Sequence, residues 1–182
     1  MLPNFALLIA LTIGSSFAFG QNTSTSGIAV LDLNGILRNA TSTKGIRAQI
    51  TKFRATFEEE IKKEQQVLRD ANQELARKRS LLSPEAFAEE RQKFEQQVVS
   101  VQRLGQEKRK ILENAQNASM FEVENILNEV VKKVATKRGF SLVIRRAQTV
   151  VLDPSIDITQ EVLAQLNKRL PTIKVELKKL LK

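Results

Sequence analysis

Leu81-Leu82-Ser83-Pro84-Glu85 interrupts a helical pattern that covers about half of the chain. Between Ile46 and Arg138, the proline of this motif is the only proline and Gly105 is the only glycine. The serine can cap a new helix, the proline tolerates the first helical position, and the glutamate suits the positive end of a helix dipole. Because two long helices joined by so short a link must fold back on each other, the sequence predicts an antiparallel helical hairpin.

Apolar residues recur on both sides of this break, mostly at spacings of three, four or seven, which is the repeat of one helix face. They are Ile46, Ile50, Phe53, Phe57, Ile61, Leu68, Ala71 and Leu75 before the break, and Phe87, Phe94, Val98, Val101, Leu104, Ile111, Ala115, Val123, Ile126, Val130 and Val134 after it. At about 1.5 Å per residue, the first helix alone is expected to be roughly 55 Å long. A rod of this kind is typical of proteins that hold or space other molecules.

The composition argues against an enzyme. The 182 residues include no cysteine and no histidine, which removes thiolate chemistry, the commonest general base and the commonest metal ligand. Glu58, Glu59 and Glu60 are interpreted as ordinary surface charges, because Lys62 and Lys63 can pair with the first two at i+4. No glycine loop that could cradle a phosphate is present. We therefore expect no catalytic residue, no cofactor and no metal site.

The first twenty residues predict an export signal. Residues 1–20 carry no charged side chain, and the apolar run at 5–13 is too short to span a bilayer. Ala18-Phe19-Gly20 fits the small-x-small pattern of a cleavage site, so that Gln21 would become the first residue. The alternative is an uncleaved anchor or a buried helix. The polar stretch that follows, residues 21–27, is typical of a flexible linker.

Short apolar runs flank the hairpin and predict three β-strands, at residues 28–33, 142–144 and 150–152. Asn34-Gly35 is a turn signal after the first run, and Gly139 is the expected cap at the end of the hairpin. Asp157, with Gln160 three residues on, predicts a capping box that opens a last helix. Because so few strands cannot form a stable sheet within one chain, self-association is expected.

The predicted fold class is therefore mainly α with a small β hub. The predicted segments are a signal peptide at 1–20, a linker at 21–27, a hub built from 28–43 and 139–170, a helical hairpin at 44–138 with its tip at 81–84, and a basic tail at 171–182. The tail is interpreted either as a short amphipathic basic helix that could rest on an anionic membrane face or as a frayed, solvated end.

Three segments carry a resemblance to a known family: Ile28-Ala29-Val30-Leu31-Asp32-Leu33, Phe140-Ser141-Leu142-Val143-Ile144, and Asp157-Ile158-Thr159 with Val162-Leu163 and Leu166-Asn167. With the order export signal, strand, helical hairpin, two strands and helix, the chain resembles the Skp/OmpH family of periplasmic chaperones. Two features depart from the family pattern. Arg145-Arg146 stands where many members continue with a strand and an acidic or polar turn, and the tail extends past the usual end.

The resemblance implies a homotrimer, located in the periplasm and soluble after cleavage of the signal peptide. Its strands would join in a central hub, and three coiled-coil tentacles would enclose a cavity for unfolded outer-membrane proteins without ATP. The expected trimer hub consists of Ile28, Val30, Leu33, Leu142, Val143, Ile144, Val150, Val151 and Leu152. The candidate contacts to clients or to an anionic surface are Arg77, Lys78, Arg79, Leu81, Leu82, Phe87, Lys108, Arg109 and Lys110.

The charge leaves other partners open. The net charge is +9, and residues 168–182 contribute six basic and one acidic side chain. Such a balance favours an acidic partner, such as a client, nucleic acid, or an anionic lipid or lipopolysaccharide surface. Specific nucleic-acid recognition is not expected, because no groove-reading module and no tyrosine or tryptophan stacking platform is present. Three hypotheses therefore compete: a holding chaperone, a structural coiled-coil spacer, and a basic protein that binds nucleic acid nonspecifically.

Overall fold

The computed structural model describes residues 27–178 of the chain. Strand β1 (Gly27–Leu31) precedes a short helix α1 (Leu33–Asn39) and two long helices, α2 (Thr41–Lys78) and α3 (Pro84–Lys137). Strand β2 (Phe140–Arg145) and helix α4 (Thr159–Arg169) follow, with short 3-10 helices at Arg146–Gln148 and Pro154–Ile156 between them. The signal peptide predicted at residues 1–20 and most of the linker lie outside the described residues.

Helices α2 and α3 run side by side in opposite directions. Lys78 Nζ lies 2.7 Å from Glu90 Oε2 near the turn, and Lys108 Nζ lies 2.6 Å from Glu60 Oε2 further along the pair. At the turn, the Ser83 hydroxyl accepts a hydrogen bond from the Ala86 amide at 3.3 Å, and proline occupies the first turn of α3. The break in the helical pattern therefore ends one helix and starts the next, because serine satisfies an amide that the first turn leaves free.

The sheet contains two parallel strands among the described residues. Ala29 of β1 lies opposite Val143 of β2, and Val30 lies opposite Ile144. On the other side of β1, Val30 forms a bridge with Asp157, and the carbonyl of Val30 accepts a hydrogen bond from the amide of Ile158 at 3.0 Å. Strand β1 is thus flanked on both sides, whereas β2 has one edge with no strand beside it in residues 27–178.

The core lies at one end of the molecule, where β1, α1 and α4 meet the ends of α2 and α3 that are remote from the turn. The largest fully buried apolar side chains are those of Ile36, Ile46, Leu127, Ile158 and Leu166. Each contributes about 1.5–3 kcal/mol by leaving water. In the remainder of α2 and α3 toward the turn, only Gly105 is buried among the described residues. Cohesion is therefore concentrated at the base of the helical pair.

The first predicted strand is too long. It ends at Leu31, and both Leu33 and the predicted Asn34-Gly35 turn lie in helix α1. The reason is Asp32, whose carboxylate accepts a hydrogen bond from the Gly35 amide at 2.7 Å and so caps a helix at this point. Aspartate, asparagine and glycine are common both in turns and at helix starts, and here they begin helix α1.

The predicted strand at 150–152 is wrong. A 3-10 helix turns the chain directly after β2, and Val150 and Val151 are 102% and 89% exposed. The position beside β1 that a third strand could take is occupied by Asp157. Val30, which was expected to contact other subunits, is only 1% exposed and is buried within its own chain.

The predicted capping box at the last helix is also not formed as expected. Helix α4 begins at Thr159, and its amide donates a hydrogen bond to Asp157 Oδ1 at 2.9 Å. No reciprocal hydrogen bond from Gln160 occurs within residues 27–178. The carboxylate thus fixes the entry to α4 from two residues upstream, since Ile158 at the cap position is held instead by its bond to β1.

The tail differs from both interpretations made from the sequence. Residues 171–178 are not helical, and they are not a frayed end, because Ile173 and Val175 are only 6% and 3% exposed. Residues 179–182 lie outside the described part of the chain. Alternate burial in an extended segment explains why a helical interpretation of these apolar positions failed: they follow a period of two.

Two glycine substitutions should have opposite effects on stability. Gly139 has a φ of 73° and an added Cβ would meet nothing within 4 Å, so Gly139→Ala should cost about 1–2 kcal/mol through the backbone alone. Gly105 lies inside α3, and an added Cβ would make an ordinary 3.8 Å contact with Ile61 Cδ1. Gly105→Ala should therefore stabilise the protein by about 0.5–1 kcal/mol. Urea unfolding of both variants would contradict this picture if the two shifts had the same sign.

Candidate functional site

A cleft of about 680 Å³ separates α2 and α3 partway along the pair. Its apolar lining comprises Phe57, Ile61, Leu68, Val98, Val101, Gly105 and Leu112, and its polar lining comprises Arg54, Glu58, Gln65, Gln102, Gln106, Lys108 and Arg109. Gly105 and Ile61 face each other across this lining, where a Cβ added at Gly105 would lie 3.8 Å from Ile61 Cδ1. Such a lining offers apolar contact beside charged and amide side chains, so it can accept the mixed side chains of an unfolded segment.

The predicted basic cluster Lys108-Arg109-Lys110 is split by the structure. Besides its ion pair with Glu60, the ammonium group of Lys108 lies 4.1 Å from the centre of the Phe57 ring. Arg109 Nε donates to the carbonyl of Gly105 at 3.3 Å, while Lys110 is exposed. Lys108 therefore joins the two helices through a cation–π contact and a charge pair, and does not extend freely toward a partner.

The predicted tip cluster is also partly neutralised. Arg77 Nη1 lies 2.5 Å from Glu74 Oε1, and Lys78 pairs with Glu90 across the turn. Arg79 makes no ion pair within residues 27–178. Leu81 is 80% exposed, whereas Leu82 and Phe87 are half-buried. The tip thus presents one large exposed apolar side chain next to one cation without an acidic partner in the described part of the chain.

Glu90 is a residue that the sequence reasoning missed. Hydrogen bonds from Lys78 and Lys93, together with their positive charges, lower the pKa of Glu90 to about 2. The same contact raises the pKa of Lys93. The i+3 spacing of Glu90 and Lys93 was readable as a helical pair, but the Lys78 contact depends on how the two helices align.

The predicted hub residues fall into two groups. Val30 is buried, and Leu33, Val143, Ile144 and Leu152 are half-buried against their own chain. The exposed members are Ile28 at 46%, Leu142 at 51%, Val150 and Val151. Ile28 lies opposite Leu142 in the sheet, so these two form a continuous apolar patch on one side of the strands. We call Ile28 and Leu142 the hub face.

Residues 27–178 contain neither a membrane-spanning helix nor a cluster of metal ligands. No helix in this range is long and apolar enough to cross a membrane. No group of three or more acidic side chains in this range is placed to hold a metal ion.

Comparisons with known proteins give a family and a fold. A family model described as "Outer membrane protein (OmpH-like)" matches residues 27–166. A crystal structure described as an outer membrane chaperone (OmpH-like) from Caulobacter crescentus CB15 aligns with a TM-score of 0.78 and 20% sequence identity, over 85% of this chain and 91% of that chain. At this identity the similarity shows a shared fold. No curated protein matched the sequence.

Replacing Glu90 with glutamine should loosen the tip in a pH-dependent manner. Because the folded-state pKa of Glu90 is about 2 and its ordinary value is 4.5, the contribution of the charged form is complete above pH 4.5 and is lost as the pH falls toward 2. At pH 7, Glu90→Gln should therefore increase amide hydrogen exchange in residues 79–83. Glu89→Gln, on the same turn but without an ion pair in residues 27–178, is the control. Equal exchange in both variants at pH 7 would contradict the role of the pair.

Proposed function

Because the chain belongs to the OmpH-like outer membrane protein family, we propose that it is an ATP-independent holdase chaperone of the periplasm. It would bind unfolded outer-membrane proteins between the helical arms of a homotrimer and prevent their aggregation. The observation that carries this proposal is the form of the molecule: a compact base with an exposed apolar face, from which one long helical pair extends.

The hub face supports assembly. Ile28 and Leu142 expose large apolar side chains on a parallel sheet of only two strands, and the outer edge of β2 has no strand beside it in the described residues. Parallel sheets are normally covered on both faces, and sheets with so few strands rarely stand alone. Additional copies of the chain that cover this face would place three helical arms around a common space.

The arms support holding rather than spacing. A stiff spacer needs a tightly packed apolar seam between its helices, whereas here a cleft of about 680 Å³ opens along the seam. The exposed valines Val67 and Val99 and the tip residue Leu81 offer apolar contact on the outside of the arms. Many weak contacts on several linked arms give a high effective concentration without any single tight site.

Other partners and the export step remain predictions. Among the predicted contact residues, Arg79 and Lys110 make no ion pair within residues 27–178, and we expect them to meet an anionic lipid or lipopolysaccharide surface. Cleavage after Gly20 is testable by sequencing the first residues of the exported protein.

The assembly is tested by Leu142→Asp. A carboxylate at this position is tolerated by the folded chain, since Leu142 is half exposed, but it would be buried without a partner in an assembled hub. We expect light scattering to report a trimer for the unmodified chain and for Val67→Asp, an equally exposed position on the arm, and a monomer for Leu142→Asp. A trimer that persists in Leu142→Asp would place the contact elsewhere.

The holding activity is tested by diluting a denatured outer-membrane protein into buffer without ATP. We expect several-fold excess of the trimer to suppress turbidity. Capture should slow as salt rises, because at 0.1 M salt the attraction between exposed basic residues and acidic clients is screened beyond about 10 Å. The monomeric Leu142→Asp variant is the matched control and should protect less. Turbidity that the unmodified chain does not reduce would favour the spacer hypothesis.

A further inference from the structure

The segment Pro171–Lys178, which we call the strap, is an extended stretch held against the base of the helical pair. Ile173 and Val175 are buried in the core and Leu177 packs against it in part, whereas the residues between them are exposed. The strap lies beyond residues 27–166, the range that the family model matches. Its burial therefore has to be explained from the contacts of this chain.

The side-chain amide of Gln49, on α2, binds the main chain of the strap. Gln49 Nε2 donates to the carbonyl of Ile173 at 2.7 Å, and Gln49 Oε1 accepts from the amide of Val175 at 3.0 Å. Nε2 also donates to the carbonyl of Gly45 at 3.2 Å, which fixes the orientation of the amide. Both bonds to the strap recognise main-chain groups that every extended peptide possesses, with only proline excluded at the position of Val175.

The apolar side chains beside Gln49 belong to the same buried cluster as the strap, and we call this face of α2 the Gln49 groove. Ile46, Gln49, Ile50 and Phe53 are spaced by three and four residues, so they share one face of α2. Ile46 and Ile50 belong to the same buried cluster as Ile173 and Val175, and Phe53 packs against it. The groove thus combines apolar contact for alternate side chains with one amide that reads the backbone, which are the two elements of extended-peptide recognition.

The strap alternates apolar and charged residues, as a strand with one covered face does. Apolar Ile173, Val175 and Leu177 alternate with Lys174, Glu176 and Lys178. Strands of outer-membrane barrels alternate apolar and polar residues in the same way, because one face meets lipid and the other the lumen.

We propose that the Gln49 groove is a binding site for extended client segments with alternating apolar residues, and that the strap occupies this site in the free protein and competes with clients for it. The proposal rests on the proposed chaperone function, for which it identifies one contact site and the class of segment bound there. Because the strap is tethered, its effective concentration is high, and a single client segment displaces it only in part. Clients that present many such segments are thereby favoured over short peptides.

The site is tested with a fluorescent peptide of the strap sequence, residues 171–178, added to full-length variants. Ile173→Asn with Val175→Asn should release the strap and leave the groove intact. By fluorescence anisotropy, we expect this double variant to bind the peptide at least ten-fold more tightly than the unmodified chain. Adding Gln49→Met to the double variant should weaken its peptide binding at least ten-fold. Adding Gln73→Met, on an exposed turn of the same helix, should leave its peptide binding unchanged.

The control is a peptide of equal composition in which the three apolar residues are adjacent. Its affinity for the double variant should be no higher than the affinity of the strap peptide for the unmodified chain. Equal binding of both peptides, or no gain in the released variant, would overturn the proposal. If the double variant loses its helical circular dichroism, Val175→Pro replaces it in the assay. This substitution removes the amide that donates to Gln49 Oε1 and keeps an apolar side chain.

The peptide assay contains no aggregating client. Peptide binding without suppression of turbidity would therefore disprove the holdase function alone, and suppression without peptide binding would disprove the groove alone.

Discussion

Two helices that lie side by side can bury only one narrow stripe each, and this limit determines the rest of the molecule. Along α2, buried side chains stop at Ile50, and along α3 the buried apolar side chains begin at Leu112. The helical pair therefore depends on the base, where β1, α1 and α4 add the area that the pair lacks. Ile36, Ile158 and Leu166, each fully buried, come from elements on both sides of the long helices in sequence. The two ends of the chain must meet before either long helix has a stable foundation.

This uneven distribution of core has consequences for motion. Regions with few buried apolar contacts open at lower free energy than regions inside a core. Beyond the cleft at Gly105, the pair is held by half-buried stripes and by exposed ion pairs such as Lys78–Glu90, which contribute little each. We expect the arms to bend while the base stays rigid. A holding chaperone gains from this division, because clients of different size can be accommodated without disturbing the assembly contacts.

Sequence reasoning succeeded where the chemistry is local. The family resemblance is confirmed by the match over residues 27–166, and the mainly helical character with a small sheet is as expected. The break at Ser83-Pro84 was readable because capping involves residues three apart. Errors arose where distant residues compete for one place. Asp157 fills the edge of β1 that a third strand could have taken. Asp32, which stands before the predicted Asn34-Gly35 turn, caps a helix instead, and its own amide donates to Thr159 Oγ1 at 2.9 Å.

The candidate site shows the same division between local and distant information. Lysine and arginine clusters are visible in sequence, but whether they are free depends on the register of α2 against α3. Glu60 and Lys108 are 48 residues apart, and only their alignment across the pair turns a predicted contact residue into an internal one. The strap was misread for a related reason. Its apolar positions fit a helix poorly and a strand well, but an isolated strand at a chain end has no stability of its own. Its extended form follows from Gln49, a residue 124 positions away from Ile173 whose role no local pattern reveals.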